Sequence, residues 1–153
     1  MSAPDLSAED LADRVARFNQ RDEIFWFGLQ GEVEGNGEAC IRFSRLEAGF
    51  LGGGGVQAVN GGVITAGFDA ACVLAAWVQY DAAVVVTLAL NVQFLRLAHA
   101  SQHLVFKARV AKRGAQVCFV TAELVDAGAP SRGPLALAQA TLAPLVTGTA
   151  PAR

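Results

Sequence analysis

The feature that most constrains the fold is the segment from Asn60 to Val78, in which a diglycine precedes an almost unbroken run of apolar residues. Apolar side chains recur at three- and four-residue steps on one side of this run: Ile64, Phe68, Ala71, Cys72, Ala75 and Val78. The other side is almost equally apolar: Val63, Ala66, Ala70, Val73, Leu74 and Trp77. This spacing predicts a helix. A helix that is apolar all round is a buried helix, so the rest of the chain must enclose it.

One carboxylate, Asp69, interrupts this apolar helix near its middle. Burying an ionisable group is costly unless neighbouring groups satisfy it or a function uses it. The first backbone N–H groups of a helix lack partners and carry the positive end of the macrodipole. The amides of Gly61 and Gly62 are therefore candidates for holding an anion or a polarised carbonyl oxygen. A purely structural interpretation also fits, with a hydrogen-bonded carboxylate and an Asn-Gly turn.

The composition fits one domain over residues 1–153 with an apolar excess. The chain is 53% hydrophobic and 17% charged, which is enough to bury a sizeable core. The apolar excess indicates a subunit interface as well, so we expect a homo-oligomer. The twelve basic and fourteen acidic residues are scattered along the chain, so we do not expect nucleic acid as a partner.

We expect neither membrane insertion nor secretion. The apolar region 61–97 is broken by charged and polar residues, and no stretch reaches the roughly 20 residues of a spanning helix. Acidic residues stand within residues 1–19, where a signal peptide has an apolar core. Cys40, Cys72 and Cys118 lie far apart among apolar residues, which favours buried reduced thiols over disulfides or a metal site. The sequence predicts a cytoplasmic protein without a metal.

A short amphipathic helix is predicted near the start of the chain. Ser7 and Asp10 form a capping-box pattern ahead of an apolar stripe, which predicts a helix over about Ala8–Asn19. We interpret residues 1–22 as a helical extension of the domain.

Strand patterns lie on both sides of the buried helix. The predicted strands are Ile24–Gln30, Glu32–Ser44, Val84–Leu97, Leu104–Val110, Cys118–Leu124 and Leu135–Leu145. Gly35-Asn36-Gly37 is predicted as a turn or bulge between the first two strands or within the second. Val84–Leu97 is apolar at nearly every position, as expected of a central strand covered on both faces. The next two strands alternate as half-exposed antiparallel strands do. We place the buried helix in the concave face of a strongly curved antiparallel sheet, an α+β fold.

This order of elements and its motifs resemble the hotdog fold and, within it, the acyl-CoA thioesterases of the phenylacetic-acid-degradation type. Members of that group carry a His-Gly-Gly at the start of the central helix, an Asp or Glu about two turns later, and a following strand with a Ser or Thr and an Asn. The corresponding residues are Asn60-Gly61-Gly62, Asp69, Thr87 and Asn91, with a Leu-Arg-Pro-Ala-like strand end at Phe94-Leu95-Arg96-Leu97-Ala98. The resemblance covers roughly Glu32–Leu145.

The resemblance implies an acyl-CoA thioesterase that acts as a homodimer or homotetramer and needs no cofactor, since coenzyme A is part of the substrate. In such a site we assign Asp69 as nucleophile or general base and the Gly61 N–H as oxyanion donor. Thr87 is placed to orient water. The residues predicted to bind substrate are Gly62, Gly54, Asn91, Phe68 and Arg96.

Two positions depart from the family pattern. Asn60 stands where the family has a His, and Gly54 stands where an Asn is common; the usual residues help to hold the thioester or to order the loop. Asn60 can donate a hydrogen bond to a thioester oxygen or cap its own loop, but it cannot act as an acid or base.

The predicted site also needs two protomers. Gly62 and Asp69 are about 10 Å apart along one helix, too far for the carboxylate to reach a thioester held at its own helix start. If two such helices lie antiparallel across a two-fold axis, Asp69 of one protomer faces Gly61 of the other.

Other functions fit parts of the pattern. A hotdog protein that binds an acyl-CoA or acyl carrier without cleaving it is motivated by Asn60 and Gly54. A third alternative is a hotdog dehydratase or hydratase. Enzymes of that kind carry a His paired with a carboxylate in a Pro-rich motif, and neither His99 nor His103 lies in such a setting. A purely structural dimer module is the remaining alternative. For a thioesterase, the sequence leaves both short-chain and aromatic acyl groups open.

Overall fold

The computed structural model describes residues 6–52 and 56–145 of the chain. Three α-helices occur there: α1 (Ala8–Asn19), α2 (Asp22–Trp26) and α3 (Gly61–Trp77). The strands are β1 (Leu29–Val33), β2 (Ala39–Phe43), β3 (Val84–Phe94), β4 (Leu104–Arg113), β5 (Cys118–Asp126) and β6 (Ala136–Leu145). Two short 3₁₀ turns lie at Ala48–Phe50 and Pro130–Arg132.

The strands form one curved antiparallel sheet in the order β1-β2-β4-β5-β6-β3, and α3 packs in its concave face. The absence of a side chain at Gly67 allows close packing, because a Cβ there would lie 2.2 Å from the Phe106 ring. Phe68 packs edge-on against the same ring at 5.1 Å. The predicted α+β hotdog architecture with an N-terminal helix is confirmed.

Helix α1 is fixed to the rest of the fold by hydrogen bonds from its middle and from its last residue. Its capping box is formed by Ser7 and Asp10, as predicted. In the middle of the helix, the buried Arg14 guanidinium donates to the carbonyl oxygens of Trp77, the last residue of α3, and Tyr80, at 2.9 and 2.5 Å. At the last residue, the Asn19 amide exchanges two hydrogen bonds with the Gly31 backbone, at 2.9 and 2.7 Å. Because Gly31 lies in β1, α1 closes this edge of the sheet.

The prediction of a strand at Ile24–Gln30 is wrong over its first half, where Asp22–Trp26 forms α2. The acidic residues of its first turn suit the positive helix end. Gly28, at φ 62°, takes the left-handed conformation that ends such a helix, and β1 starts at the next residue. The predicted turn at residues 35–37 is confirmed between β1 and β2, with Gly37 at φ 82°.

The prediction of a central, doubly covered strand at Val84–Leu97 is also wrong for the protomer. β3 is an edge strand that pairs with β6 on one side. Several of its apolar side chains are exposed, among them Val84, Leu88 and Phe94 at 42%, 58% and 53%. The apolar pattern is therefore not satisfied within one chain.

The three cysteines are buried and free, as predicted. In the described ranges, 6–52 and 56–145, no helix is long and apolar enough to cross a membrane.

Candidate functional site

Asp69 lies on α3, half-buried, opposite the first part of β3. The Thr87 hydroxyl donates a hydrogen bond of 2.6 Å to the Asp69 carboxylate. The structure thus brings together the carboxylate and the hydroxyl that the family resemblance places in one site. A hydroxyl held this way fixes the carboxylate rotamer and leaves its other oxygen for a further partner.

A β-bulge separates Thr87 from Asn91. The two side chains therefore lie on opposite faces, although residues four apart on a regular strand share one face. Thr87 pairs with Leu142 and Ala89 with Thr141, which leaves Leu88 as an extra residue. An inserted residue exchanges the two faces for the rest of the strand. Asn91 therefore lies on the outer face of the sheet, in a shallow groove with Thr121 and Gln139. The structure does not bring Asn91 to Asp69.

At the start of α3, Asn60 is the N-cap. Its side-chain oxygen accepts a hydrogen bond of 2.8 Å from the Gly62 N–H. Of the two roles that the sequence left open for Asn60, the structure shows the capping role. Within the described parts of the chain, the neighbouring Gly61 N–H has no acceptor.

An apolar cavity of about 80 Å³ borders Asp69. One face of α3 forms a wall, and the remaining walls come from α1, α2 and the residues that follow α2. The lining residues are Phe18, Arg21, Glu23, Ile24, Phe27, Leu29, Ala66, Asp69, Ala70 and Val73. Sequence reasoning missed the contribution of the N-terminal helices; the only signal was the apolar stripe of α1, which equally fits plain core packing.

The other predicted binding residues lie elsewhere. Phe68 is fully buried against Phe106 in the core of the protomer and does not line the cavity. Arg96 donates to three successive carbonyl oxygens, those of Arg132, Gly133 and Pro134, at 2.6, 2.7 and 3.0 Å, so it orders that loop. Gly54 lies outside the described residues.

The buried thiols are not nucleophiles at neutral pH. Burial, aided by the nearby Asp69 charge, raises the pKa of the Cys72 thiol to about 12. Glu34, Glu38 and Cys40 bring potential metal-ligand atoms within 4.8 Å of one another. There, burial and the hydrogen bond to Glu34 raise the pKa of Cys40 to about 12.

The chain is similar to a protein family and to several solved structures. The family model of the thioesterase superfamily matches residues 57–130. A phenylacetic acid degradation-related protein of Ralstonia eutropha JMP134 is 29% identical, with 78% of this chain and 87% of that chain covered and a TM-score of 0.65.

Two further solved structures share the fold. The E. coli PaaI protein of the phenylacetic acid degradation operon has 21% identity and a TM-score of 0.72, with 89% of this chain and 96% of that chain covered. A thioesterase family protein of Silicibacter pomeroyi has 22% identity and a TM-score of 0.73, with 89% and 98% covered. No curated protein matches the sequence.

Proposed function

The chain has the hotdog fold of the thioesterase superfamily, and on that premise we propose that it hydrolyses acyl-CoA thioesters at a site shared by two protomers. The observation that carries the proposal is the hydrogen bond between Thr87 and Asp69. It holds the one charged side chain of α3 beside an apolar cavity.

The bare edge of β3 supports a two-fold dimer. An edge strand of eleven residues presents a row of unpaired backbone groups, and its exposed apolar side chains favour a protein partner. Antiparallel pairing of β3 with its copy would set the two α3 helices side by side. Asp69 of one protomer would then face the Gly61 amide of the other, which closes the 10 Å gap within one helix. Assembly of two such dimers into a tetramer, and a cytoplasmic location, remain predictions of the sequence.

In that arrangement the thioester oxygen accepts a hydrogen bond from the Gly61 N–H of one protomer. As general base, Asp69 of the other protomer takes a proton from water while the water oxygen bonds to the thioester carbon. The C–S bond then breaks and the proton passes to the coenzyme A thiolate. As nucleophile, the same carboxylate would attack the thioester carbon and form a mixed anhydride as the C–S bond breaks and coenzyme A leaves as the thiolate. Water would then hydrolyse the anhydride to the free acid and the Asp69 carboxyl group, and a proton would pass to the thiolate. Thr87 positions Asp69 in either case.

The test compares release of free coenzyme A from acetyl-, butyryl-, hexanoyl-, palmitoyl-, phenylacetyl- and benzoyl-CoA by wild type, Asp69→Asn and Asp13→Asn. Asp13 is an exposed control carboxylate that pairs with Arg17 on α1. We expect Asp69→Asn to lose at least a hundredfold in kcat/KM while Asp13→Asn keeps wild-type turnover. Full activity of Asp69→Asn would overturn the catalytic assignment.

A second function, binding of an acyl-CoA without cleavage, is favoured by one observation: Asn60, where the family carries a His, is engaged as a helix cap. Thermal stabilisation of the wild type by several acyl-CoAs, together with no release of coenzyme A from any of them, would establish this alternative. Rapid cleavage of any of them would exclude it.

A further inference from the structure

The cavity beside Asp69 offers one chemical environment to whatever enters it. Its walls are apolar side chains, and Arg21 and Glu23 at its rim neutralise each other in an ion pair of 2.6 Å. The remaining charged group is Asp69 itself. If the proposed function holds, the thioester carbon must come within bonding reach of Asp69 or of a water beside it. The acyl chain, attached to that carbon, then has this adjoining apolar space to enter.

The size of the cavity limits that chain. A cavity of 150 Å³ lined by apolar side chains accommodates benzene, and this one measures about 80 Å³. The space therefore fits a short aliphatic chain better than an aromatic ring.

The residues that form the walls are buried or fixed by hydrogen bonds, so the cavity size limits the acyl chain that can enter. Ile24, on α2, is 3% exposed, and Phe18, on α1, is fully buried. The bonds of Arg14 to the end of α3 and of Asn19 to β1 fix α1 against the fold. Expansion for a longer chain would require these contacts to move.

We propose that the N-terminal helices form the acyl-chain pocket and that Ile24 limits the chain length, so that unbranched acyl groups of roughly two to four carbons are preferred over longer chains and aromatic rings. This inference rests on the proposed function for its substrate class. It assigns selectivity to a part of the chain outside residues 57–130, where the thioesterase family model matches.

The experiment measures kcat/KM across acetyl-, butyryl-, hexanoyl-, octanoyl- and phenylacetyl-CoA for wild type, Ile24→Val and Ile24→Ala. Ile41→Val is the matched control, because Ile41 is buried in β2 and does not line the cavity. Ile24→Val guards against a loss of folding in the alanine variant. Ala66→Leu, which fills the cavity from α3, tests the opposite direction.

In the wild type we expect kcat/KM to rise about fourfold per added methylene up to butyryl, as burial of each such group predicts, and to fall beyond it. The ratio of hexanoyl to butyryl should increase about tenfold in Ile24→Ala, and less in Ile24→Val. It should stay unchanged in Ile41→Val. Ala66→Leu should restrict turnover to acetyl-CoA.

A parallel titration uses S-ethyl-, S-butyl- and S-octyl-CoA, thioethers that cannot be hydrolysed, and separates the two proposals. If no thioester is hydrolysed but thioether affinity peaks at butyl and shifts to octyl in Ile24→Ala, the pocket stands and the thioesterase proposal fails. If hydrolysis occurs but Ile24→Ala and Ile41→Val share one length profile, or if phenylacetyl-CoA is the best wild-type substrate, the pocket proposal is overturned and the thioesterase stands. Absence of both hydrolysis and length-dependent binding overturns both.

Discussion

The two edges of the sheet are finished in opposite ways. At the β1 edge, the Asn19 side chain takes both backbone groups of Gly31, and α1 and α2 lie alongside. At the β3 edge, by contrast, eleven residues run with no strand beyond them in the described chain, and Leu88 and Phe94 are more than half exposed.

One edge is thus closed by the chain itself, and the other is uncovered within the protomer. A long, bare, apolar edge promotes association, and the α3 carboxylate of the proposed site lies hydrogen-bonded to a side chain of this same strand. The closed edge, at β1, contributes to the stability of the protomer. In our proposal, the open edge, at β3, forms the dimer and completes the catalytic site.

The largest effect is expected from a charge at the open edge. Leu88→Lys adds a like charge to both copies of the strand where they would pair, so we predict a monomer with about a hundredfold less hydrolysis, the value of a lost oxyanion donor. Gln30→Lys, exposed on β1, is the control at the closed edge. Light scattering and coenzyme A release measure both, and a fully active monomer would contradict the shared site.

A change at the closed edge should affect stability instead. Asn19→Ala removes both bonds to Gly31 and is expected to lower the free energy of unfolding by about 2 kcal/mol. The dimer should persist. Urea unfolding gives the free energy, with the exposed neighbour Gln20→Ala as control; an equal loss in both variants would count against the role of the edge bond.

The link between the open edge and the site is tested at Thr87. Thr87→Val keeps the shape but removes the hydroxyl, and we expect kcat to fall about tenfold with little change in KM, since a carboxylate positioned less well reacts more slowly. Thr87→Ser should restore most of the rate. A valine variant with wild-type kcat would reduce the hydrogen bond to a structural role.

The smallest effect concerns the thiol next to the closed edge. Burial raises the pKa of Cys40 from 9.0 to about 12. The contribution of this thiol to the free energy of unfolding is therefore fully present below pH 9. It is lost as the pH rises towards 12, because the thiol of the unfolded chain ionises first. Alkylation followed by mass spectrometry at pH 8 should find Cys40 protected in the wild type and modified faster in Asn19→Ala. Equal rates would mean that the edge does not open locally.

The sequence alone was sufficient for helices α1 and α3, and the family resemblance for placing Asp69 and Thr87 in one site. The all-round apolarity of α3 has one structural solution, enclosure by a sheet, and the Ser7–Asp10 box is a local signal that needs no tertiary context. The Ile24–Trp26 segment was misassigned because a short apolar run does not distinguish a strand from one helical turn.

Errors elsewhere arose where tertiary or quaternary structure decides the outcome. The pattern of β3 predicted burial, and within the protomer the strand is an edge. In the proposed dimer the strand would be central. An apolar pattern indicates that a strand is buried, but it does not indicate whether the same chain or a partner covers it. The cavity was not predictable, since its walls come from α3 and from α1, α2 and the residues beside them, which are distant from α3 in sequence.

The extra residue at Leu88 also bears on how this chain can vary. Deletion of Leu88 would place Ala89 directly after Thr87, opposite Thr141 and Leu142, which are already neighbours on β6. Leu90 and Val92 would then stay packed against the core, whereas a deletion beyond the bulge, with the bulge kept, would invert the faces that follow it. We expect sequences that share this site to differ in the presence of the extra residue while they keep the inward faces of Thr87, Leu90 and Val92.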